Sequence, residues 1–455
     1  MSPRSPGNPT LRLAIALTVT LALPFAARGQ IAGESVNMVS GTGWPGGDPF
    51  LQRQNEPSIA VSSANGQHLL AGANDYRTVD LPNPNVPDTH GDAWLGVFKS
   101  FDGGQTWQSV LLPGYSQDTS AAGLASPLHG FTAASDPLVR AGTNGMLYYS
   151  GIVFNRGTNL GRVFVARFID LNNKENGDAT VSRDPIQYLD GQALDSGTSG
   201  QFLDKPWLAT DIPRAGAGTC TIPTTPQRSF PAGNVYFAYA VFTGNSTSPS
   251  SKIMFTRSQD CGKTWSTPIK LSESNAVNQG TTLAVDPVSG AIHLVWRRFA
   301  TSNQTDALVY AKSTDFGKTF TKGQVLFNLG SPFDQDGATG AQNFRSEAFP
   351  TLAVSVDSSG TRSWVHLAWA QRSPATGDAQ IVMSTSIDGS TWSGPAAVDT
   401  APIQDDAGNK LTRGHQFMPQ LTFTQGQLML LYYDSRLDHT AGWFTPYPDL
   451  LPDNA

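Results

Sequence analysis

One short pattern recurs four times along the chain and constrains the fold more than any other feature. Three copies read Ser-x-Asp-x-Gly-x-Thr followed by Trp or Phe, at 100–107, 258–265 and 313–320, and a copy at 386–392 is one residue shorter. In a tight turn, the Asp carboxylate can accept backbone N–H groups, Gly can adopt a positive φ, and the aromatic ring can pack back between the strands. The pattern therefore predicts four hairpin turns, called the repeat turns below. Their structural residues are Asp102, Trp107, Asp260, Trp265, Asp315, Phe320, Asp388 and Trp392.

A second repeat is an apolar strand that begins near a Pro in most of its copies. Six such strands start near residues 55, 135, 204, 280, 348 and 417, and a second apolar strand follows in nearly every case. Units of several strands at intervals of about 65 to 80 residues indicate a repeat array, and four-stranded units that close in a ring form a β-propeller. The sequence thus predicts an all-β fold, a six-bladed β-propeller with four-stranded antiparallel blades and the repeat turns on one face.

The composition agrees with short strands joined by many turns. The chain of 455 residues has 31 Asp but only five Glu and ten Lys, together with 45 Gly and 31 Pro. Helix surfaces favour Glu and Lys, whereas turns favour Asp, Gly and Pro, so a helical bundle is excluded. The net charge of −6 argues against a nucleic-acid partner, because such proteins need a basic surface.

The repeat turns resemble the Asp-box, or bacterial neuraminidase (BNR) repeat. Three full copies and one contracted copy are similar to the six-bladed propeller of the sialidase-like superfamily, over roughly residues 51–436. The resemblance implies the fold. It implies the activity less directly, because Asp-boxes also occur in propellers that hydrolyse other glycans or only bind them.

The N-terminus is predicted to be an export signal. Residues 1–30 carry Arg4 and Arg12, then the apolar run 13–23, then small residues, which is the order of a secretory signal peptide. The alternative, a membrane anchor, needs a longer apolar run. We therefore expect a secreted or periplasmic protein with no membrane span after signal removal, an N-terminal segment at 31–50 and the propeller at 51–455.

Two further predictions concern the pair of cysteines and the incomplete sixth blade. Cys220 and Cys261 are an even pair in an oxidising compartment and are predicted to form a disulfide, the alternative being unpaired buried thiols. The sixth blade has two predicted strands and no repeat turn before the chain stops. Either residues 31–43 supply an outer strand or the sequence is truncated.

The face opposite the repeat turns is rich in polar residues at strand starts and at second-strand ends. Arg presents a planar fork suited to carboxylate or sulfate, so an acidic glycan is the expected ligand. The alternative for each Arg is a salt bridge on the surface or between blades. The candidate ligand-binding residues are Arg53, Arg77, Arg297, Arg298, Arg345, Arg372 and Arg436.

The candidate catalytic residues lie on the same face. Asp75 is predicted to be an acid/base, a calcium ligand or simply the partner of Arg77. What the sialidase resemblance implies is an Arg triad that grips a sugar carboxylate, an Asp on the first-blade loop and a Tyr nucleophile polarised by Glu. In this chain the loop Asp would be Asp80 or Asp88, the nucleophile Tyr432, and the polarising residue Glu56 or Glu347.

The sequence departs from the sialidase pattern at one position. Where the resemblance implies an Arg two residues before the first-blade Pro, this chain has Asn55, and the nearest substitute is Arg53. Two functions therefore stay open. A sialidase-like exo-acting glycoside hydrolase requires several arginines that converge near an Asp and a Tyr–Glu pair. A non-catalytic carbohydrate- or protein-binding propeller allows those arginines to be consumed by salt bridges. Another polysaccharide-cleaving chemistry, such as a lyase, is a third alternative.

No cofactor is expected. Seven His without metal-ligand spacing predict no zinc site, and calcium is a minor alternative because no EF-hand-type loop is present. An extracellular glycan or glycoconjugate is the expected partner, with the protein as a monomer.

Overall fold

The computed structural model consists almost entirely of β-strands. It describes residues 35–39, 41–44, 46–50, 52–81, 91–158, 160–172, 184–198, 200–224, 226–245, 248–273, 276–334, 345–405 and 407–437. The chain divides into two compact units, Met1–Val36 and Asn37–Ala455, and all described strands lie in the second. The predicted signal peptide at 1–30 and the candidate Asp88 lie outside the described residues.

The first half of the chain forms three four-stranded antiparallel sheets, here called blades 1 to 3. Blade 1 consists of β1 (Gln54–Val61), β2 (Leu69–Asp75), β3 (Trp94–Ser100) and β4 (Gln108–Leu111). Blade 2 consists of β5 (Ala133–Ala141), β6 (Met146–Phe154), β7 (Gly161–Asp170) and β8 (Ile186–Ser196). Blade 3 consists of β9 (Phe202–Thr210), β12 (Val235–Asn245), β13 (Ser248–Ser258) and β14 (Ile269–Lys270). A hairpin of β10 (Thr219–Ile222) and β11 (Arg228–Pro231) is inserted into blade 3, and a short helix, α1 (Ala121–Leu124), precedes blade 2.

The second half forms blades 4 to 6. Blade 4 consists of β15 (Asn278–Val285), β16 (Ile292–Arg298), β17 (Ala307–Ser313) and β18 (Gln324–Asn328). Blade 5 consists of β19 (Thr351–Val356), β20 (Ser363–Arg372), β21 (Ala379–Ser386) and β22 (Ala396–Ala397). A small hairpin follows, with β23 (Ile403–Gln404) and β24 (Lys410–Leu411). Blade 6 consists of β25 (Gln416–Thr424) and β26 (Gln427–Asp434).

The blades succeed one another around an axis, and the core lies between neighbouring blades. The first strands, β1, β5, β9, β15, β19 and β25, contact each other in that order. Trp94 is buried between blades 1 and 2, Trp296 between blades 3 and 4, and Trp369 between blades 4 and 5. Each large ring removes apolar surface from water on both sides of a blade interface, which stabilises the stack of sheets. The fold is a six-bladed β-propeller, as predicted.

Blade 6 differs from the other blades because its described part has two strands instead of four. Residues 35–39 and 41–44 contain no strand. Met38 and Val39 instead pack against Ala71, Ala73 and Phe98 of blade 1. Within the described residues, the N-terminal segment therefore covers part of blade 1 and adds no strand to blade 6.

The four repeat turns share one hydrogen-bond pattern. In the first, Asp102 accepts the backbone N–H groups of Gln105 at 3.0 Å and Thr106 at 2.9 Å, and the Thr106 hydroxyl donates to its other oxygen at 2.6 Å. Together with the Ser100 hydroxyl, these bonds lower the pKa of Asp102 to about 2. The Trp107 indole donates to the Gly104 carbonyl at 3.0 Å, which folds the ring back over the turn. Asp260 and Asp315 likewise accept the N–H and the hydroxyl of the Thr four residues later, and Asp388 in the contracted turn accepts the N–H groups of Ser390 and Thr391.

The second repeat turn is linked covalently to the inserted hairpin. The predicted disulfide between Cys220 and Cys261 is present, with the two Cα atoms 5.6 Å apart and both side chains buried. Cys261 adopts a φ of 59°, and Phe316 at the same place in the third turn adopts a φ of 58°.

In the part of the chain that the structure describes, no helix combines the length and the apolar character that crossing a membrane demands.

Candidate functional site

The first strands of blades 1 to 3 share a β-bulge at the face opposite the repeat turns. At the bulges Glu56, Asp136 and Lys205 have φ values of 52°, 59° and 43°, and a Pro follows each of them. Pro has no N–H to donate to the ladder, so it fits the two-against-one pairing of a bulge. Positive φ is unfavourable for residues other than Gly, and such strain concentrates at functional sites. The bulges bring three charged side chains to one end of the axis.

Glu56, Asp136, Asp204 and Lys205 form one ionic group, here called the axial cluster. The Lys205 Nζ lies 3.5 Å from Glu56 Oε1 and 3.5 Å from Asp136 Oδ1. The backbone N–H of Lys205 donates to Asp136 Oδ2 at 3.2 Å, and the carboxyl groups of Asp136 and Asp204 are hydrogen-bonded to each other. The Glu56 side chain is 47% exposed, whereas that of Asp136 is 10% exposed. The cluster is thus enclosed by protein at Asp136 and open to solvent at Glu56.

Two buried amides fix the geometry of the axial cluster. The Asn74 Nδ2 donates to Glu56 Oε2 at 3.1 Å, while its Oδ1 accepts the backbone N–H of Asp136 at 3.0 Å. The Gln279 Nε2 donates to Asp204 Oδ2. Asn74 is the penultimate residue of β2, beside the first bulge, and Gln279 is the second residue of β15, so neighbouring blades hold the carboxyl groups from both sides.

The axial cluster shifts the pKa values of Asp204 and Asp136 in opposite directions. Burial raises the pKa of Asp204 to about 7, and the negative charge of Asp136 adds to the effect. Burial also opposes the ionisation of Asp136, but the Lys205 ammonium and donated hydrogen bonds outweigh it and hold the pKa of Asp136 below its ordinary value. Near neutral pH, one buried carboxyl therefore keeps a proton beside an ionised one. Such divergent pairs are typical of acid/base sites.

A metal ion has no evident place in this group. The Lys205 ammonium already supplies the positive charge between two of the carboxylates. Among the residues that the structure describes, no three His, Cys, Asp or Glu side chains are arranged to hold a metal ion.

Gln279→Leu is expected to raise the pKa of Asp204 beyond about 7. The reason is that the amide hydrogen bond stabilises the ionised carboxyl, and Leu cannot donate one. Carboxyl ¹³C chemical shifts followed through a pH titration would measure the change, with Asp204→Asn used to assign the resonance. Gln427→Leu, at an exposed site on β26, is the control and leaves the titration unchanged. A titration of Asp204 that is the same in wild type and Gln279→Leu would contradict the proposed contact.

Three of the candidate arginines are engaged by the protein's own carboxylates. Arg77 binds Asp75 through Nε at 3.0 Å and Nη2 at 2.7 Å, and both side chains are fully buried. The other two are each bound by two carboxylates, Arg297 by Asp306 and Asp334, and Arg436 by Asp434 and Asp399. For these three arginines, the structure shows salt bridges within the protein, which was the alternative to ligand binding.

The remaining arginines lie nearer the surface. Arg53 lies over the Tyr76 ring at 4.7 Å and Arg372 over the Phe333 ring at 5.0 Å. Arg298 donates to the Thr305 carbonyl at 3.3 Å. Arg345 is 3.4 Å from Glu347, and its charge also opposes protonation of Lys205, which places this pair near the axial cluster.

The candidate Tyr and the first-blade loop are engaged elsewhere. The Tyr432 hydroxyl donates to Asp399 at 2.7 Å, so its carboxylate partner is neither Glu56 nor Glu347. Asp80 accepts a hydrogen bond from Gln52. Of the predicted catalytic residues, the structure brings Glu56 into the axial cluster.

Sequence reasoning did not single out Asp136, Asp204 and Lys205 as site residues, although they stand at strand starts. A signal was present in the first repeat units. Blades 1, 2 and 3 place Glu56, Asp136 and Lys205 directly before Pro, whereas the later copies have uncharged residues there.

The architecture has six blades, with bulges in first strands at one face and the repeat turns at the opposite face. The fold is that of a six-bladed β-propeller. No protein-family model matches this chain, and no curated protein does.

Several solved structures are similar to this chain. A mutant α-L-arabinofuranosidase from Fusarium graminearum, in complex with an iminosugar inhibitor, has 14% identity and a TM-score of 0.45, with 85% of this chain and 89% of that chain covered. A Hadza microbial sialidase has 16% identity and a TM-score of 0.42, with 86% and 65% covered. A leech intramolecular trans-sialidase has 12% identity and a TM-score of 0.40, with 89% and 68% covered.

Proposed function

We propose that this propeller is a glycoside hydrolase whose catalytic centre is the axial cluster. The observation that carries the proposal is the buried contact between the carboxyl groups of Asp204 and Asp136 beside Lys205, where burial raises the pKa of Asp204 to about 7. Glycoside cleavage needs one carboxyl that donates a proton to the leaving oxygen and a second carboxylate on the sugar or on water. Asp204 meets the first requirement.

Glu56 is the second carboxylate. Its side chain faces solvent, and Asn74 and Lys205 contact its two oxygens and so orient it. During cleavage, Asp204 transfers its proton to the glycosidic oxygen as the bond to the anomeric carbon breaks. Glu56 either attacks the anomeric carbon or removes a proton from the attacking water. The configuration of the product separates these two courses, because the first retains it and the second inverts it.

Asp136 and Lys205 act through the other two groups. The charge of Asp136 keeps the proton on Asp204, and the hydrogen bond between them orients it. The Lys205 ammonium lies 3.5 Å from both Asp136 and Glu56, and its charge favours the ionised form of Asp136. They are positioning residues.

A neutral glycan is the substrate class that we propose. The expectation of an acidic glycan rested on free arginines, and Arg77, Arg297 and Arg436 are bound by carboxylates of the protein. The same observation favours the second candidate function, a binding propeller without catalysis. We further propose that the protein acts outside the cytosol, which the signal-like residues 1–30 and the disulfide support.

A panel of fluorogenic 4-methylumbelliferyl glycosides tests the proposal with purified protein. The panel contains neutral pyranosides, neutral furanosides including α-L-arabinofuranoside, and a sialoside. Release of 4-methylumbelliferone from a neutral glycoside is the expected result. Release from the sialoside alone would favour the sialidase hypothesis, and no release from any substrate would favour the binding propeller.

A further inference from the structure

One position recurs near the start of the first strand in each blade, and in blade 5 it lies two residues before β19. It stands directly before the Pro of the strand repeat, or before Thr in blade 4. Blades 1 to 3 place charged side chains there and blades 4 to 6 place uncharged ones, so the end of the axis has a polar half and an apolar half. In chain order the six residues are Glu56, Asp136, Lys205, Gly280, Phe349 and Met418.

Phe349 occupies the space that Gly280 leaves. A Cβ built on Gly280 would lie 2.1 Å from Cδ1 and 2.5 Å from Cγ of the Phe349 ring, far inside contact distance. Gly280 also has a φ of +66°, which suits Gly at the bulge. The aromatic ring can therefore rest directly on the backbone of β15 only because no side chain is present at this position.

The backbone beneath the ring is connected to the axial cluster on both sides. Gly280 follows Gln279, whose amide binds Asp204, and precedes Thr281, whose hydroxyl donates to the Lys205 carbonyl at 3.4 Å. Phe349 also contacts Phe299 edge to face, with ring centroids 6.4 Å apart and planes at 85°, which fixes its orientation. The side chain is nevertheless only partly buried.

We propose that Phe349, seated on Gly280, is the platform on which the ring of a neutral sugar packs while its glycosidic oxygen faces the axial cluster. This assignment rests on the proposed function. Sugar-binding sites need an apolar surface for the C–H face of the ring and a few polar groups that fix its orientation. Phe349 supplies the first, and the carboxyl groups supply the second.

Kinetics with the neutral 4-methylumbelliferyl glycosides test the platform. Phe349→Ala is expected to raise KM about tenfold with kcat changed less than about threefold, because the ring contacts ground state and transition state alike. Phe349→Trp keeps an aromatic ring and should have a KM close to that of wild type. Gly280→Ala should raise KM, because its Cβ displaces the Phe349 ring. Tyr433→Ala, which removes an exposed aromatic side chain on β26, is the matched control and leaves KM unchanged. An unchanged KM in Phe349→Ala would overturn the proposal.

A binding measurement separates this proposal from the proposed function. If no glycoside of the panel is hydrolysed, saturation-transfer NMR with the same neutral glycosides reports binding to wild type and to Phe349→Ala. Binding that is lost in Phe349→Ala supports the platform although catalysis has failed. Equal binding to both proteins, or no binding to wild type, overturns it.

Discussion

Asp204→Asn is expected to lower kcat by about 10²- to 10⁴-fold on a neutral glycoside, the range that general acid catalysis contributes. Asn has nearly the same shape and can keep the contact with Gln279, but it has no acidic proton to transfer. The wild-type rate should also fall as the pH rises through about 7, because Asp204 must be protonated and its pKa lies there. This limb of the pH–rate profile should be absent from the residual activity of the variant.

A stability measurement adds a readout that does not depend on turnover. The pKa of Asp204 is raised from 3.8 to about 7 in the folded protein, so the folded state binds more protons than the unfolded state between these values. Unfolding free energy contributed by this group therefore decreases as the pH rises from about 4 to about 7. Urea unfolding at pH 5 and pH 8 should show a smaller decrease in Asp204→Asn than in wild type.

Asp92→Asn is the matched control for Asp204→Asn. Asp92 is a carboxylate near the same face, and its partner Arg156 has a side chain that is 69% exposed. Exposed ion pairs contribute little to stability, so activity and unfolding should remain close to wild type. Equal activity in Asp204→Asn and Asp92→Asn would remove Asp204 from the mechanism.

The fold was accessible from the sequence because its determinants are local. Each repeat turn needs only neighbouring residues: Asp315 accepts the Thr319 N–H at 3.0 Å and the Thr319 hydroxyl at 2.6 Å. An eight-residue pattern therefore encodes the turn, and its recurrence encodes the array. The position of the N-terminal segment could not be predicted in the same way. Met38 and Val39 pack on blade 1 through contacts that no local pattern specifies.

The site was only partly accessible, because its residues come from different blades. The Asp136 backbone N–H finds its partner in Asn74, 62 residues earlier, and Gln279 reaches Asp204 from 75 residues later. For the arginines, the sequence shows a clear pattern but does not decide their role. Arg recurs at second-strand ends, and that recurrence is equally compatible with ligand binding and with internal pairing. Geometry decides, since Arg77 lies two residues from a carboxylate that it binds through both Nε and Nη2.

Arg77→Ala is expected to destabilise the protein by roughly 3–5 kcal/mol, because it leaves the charge of the buried Asp75 carboxylate without its guanidinium partner. Arg77 also donates to the Gly46 carbonyl at 3.2 Å, so the substitution releases a contact with the N-terminal segment as well. Urea unfolding at pH 7 measures the difference. Arg53→Ala, on an exposed side chain of the same face, should change the unfolding free energy by less than about 0.5 kcal/mol.

A double variant distinguishes the lost pair from lost packing. In Asp75→Leu/Arg77→Met both charges are replaced by apolar groups, so no buried charge remains and the protein should be more stable than Arg77→Ala. If the double variant were as unstable as the single one, the loss would come from shape and not from an uncompensated carboxylate. If Arg77→Ala unfolded like wild type but no longer bound a glycan, Arg77 would be a ligand-binding residue after all. The buried bidentate contact with Asp75 favours the first result, because a guanidinium that already satisfies a carboxylate inside the protein has little capacity left for one outside it.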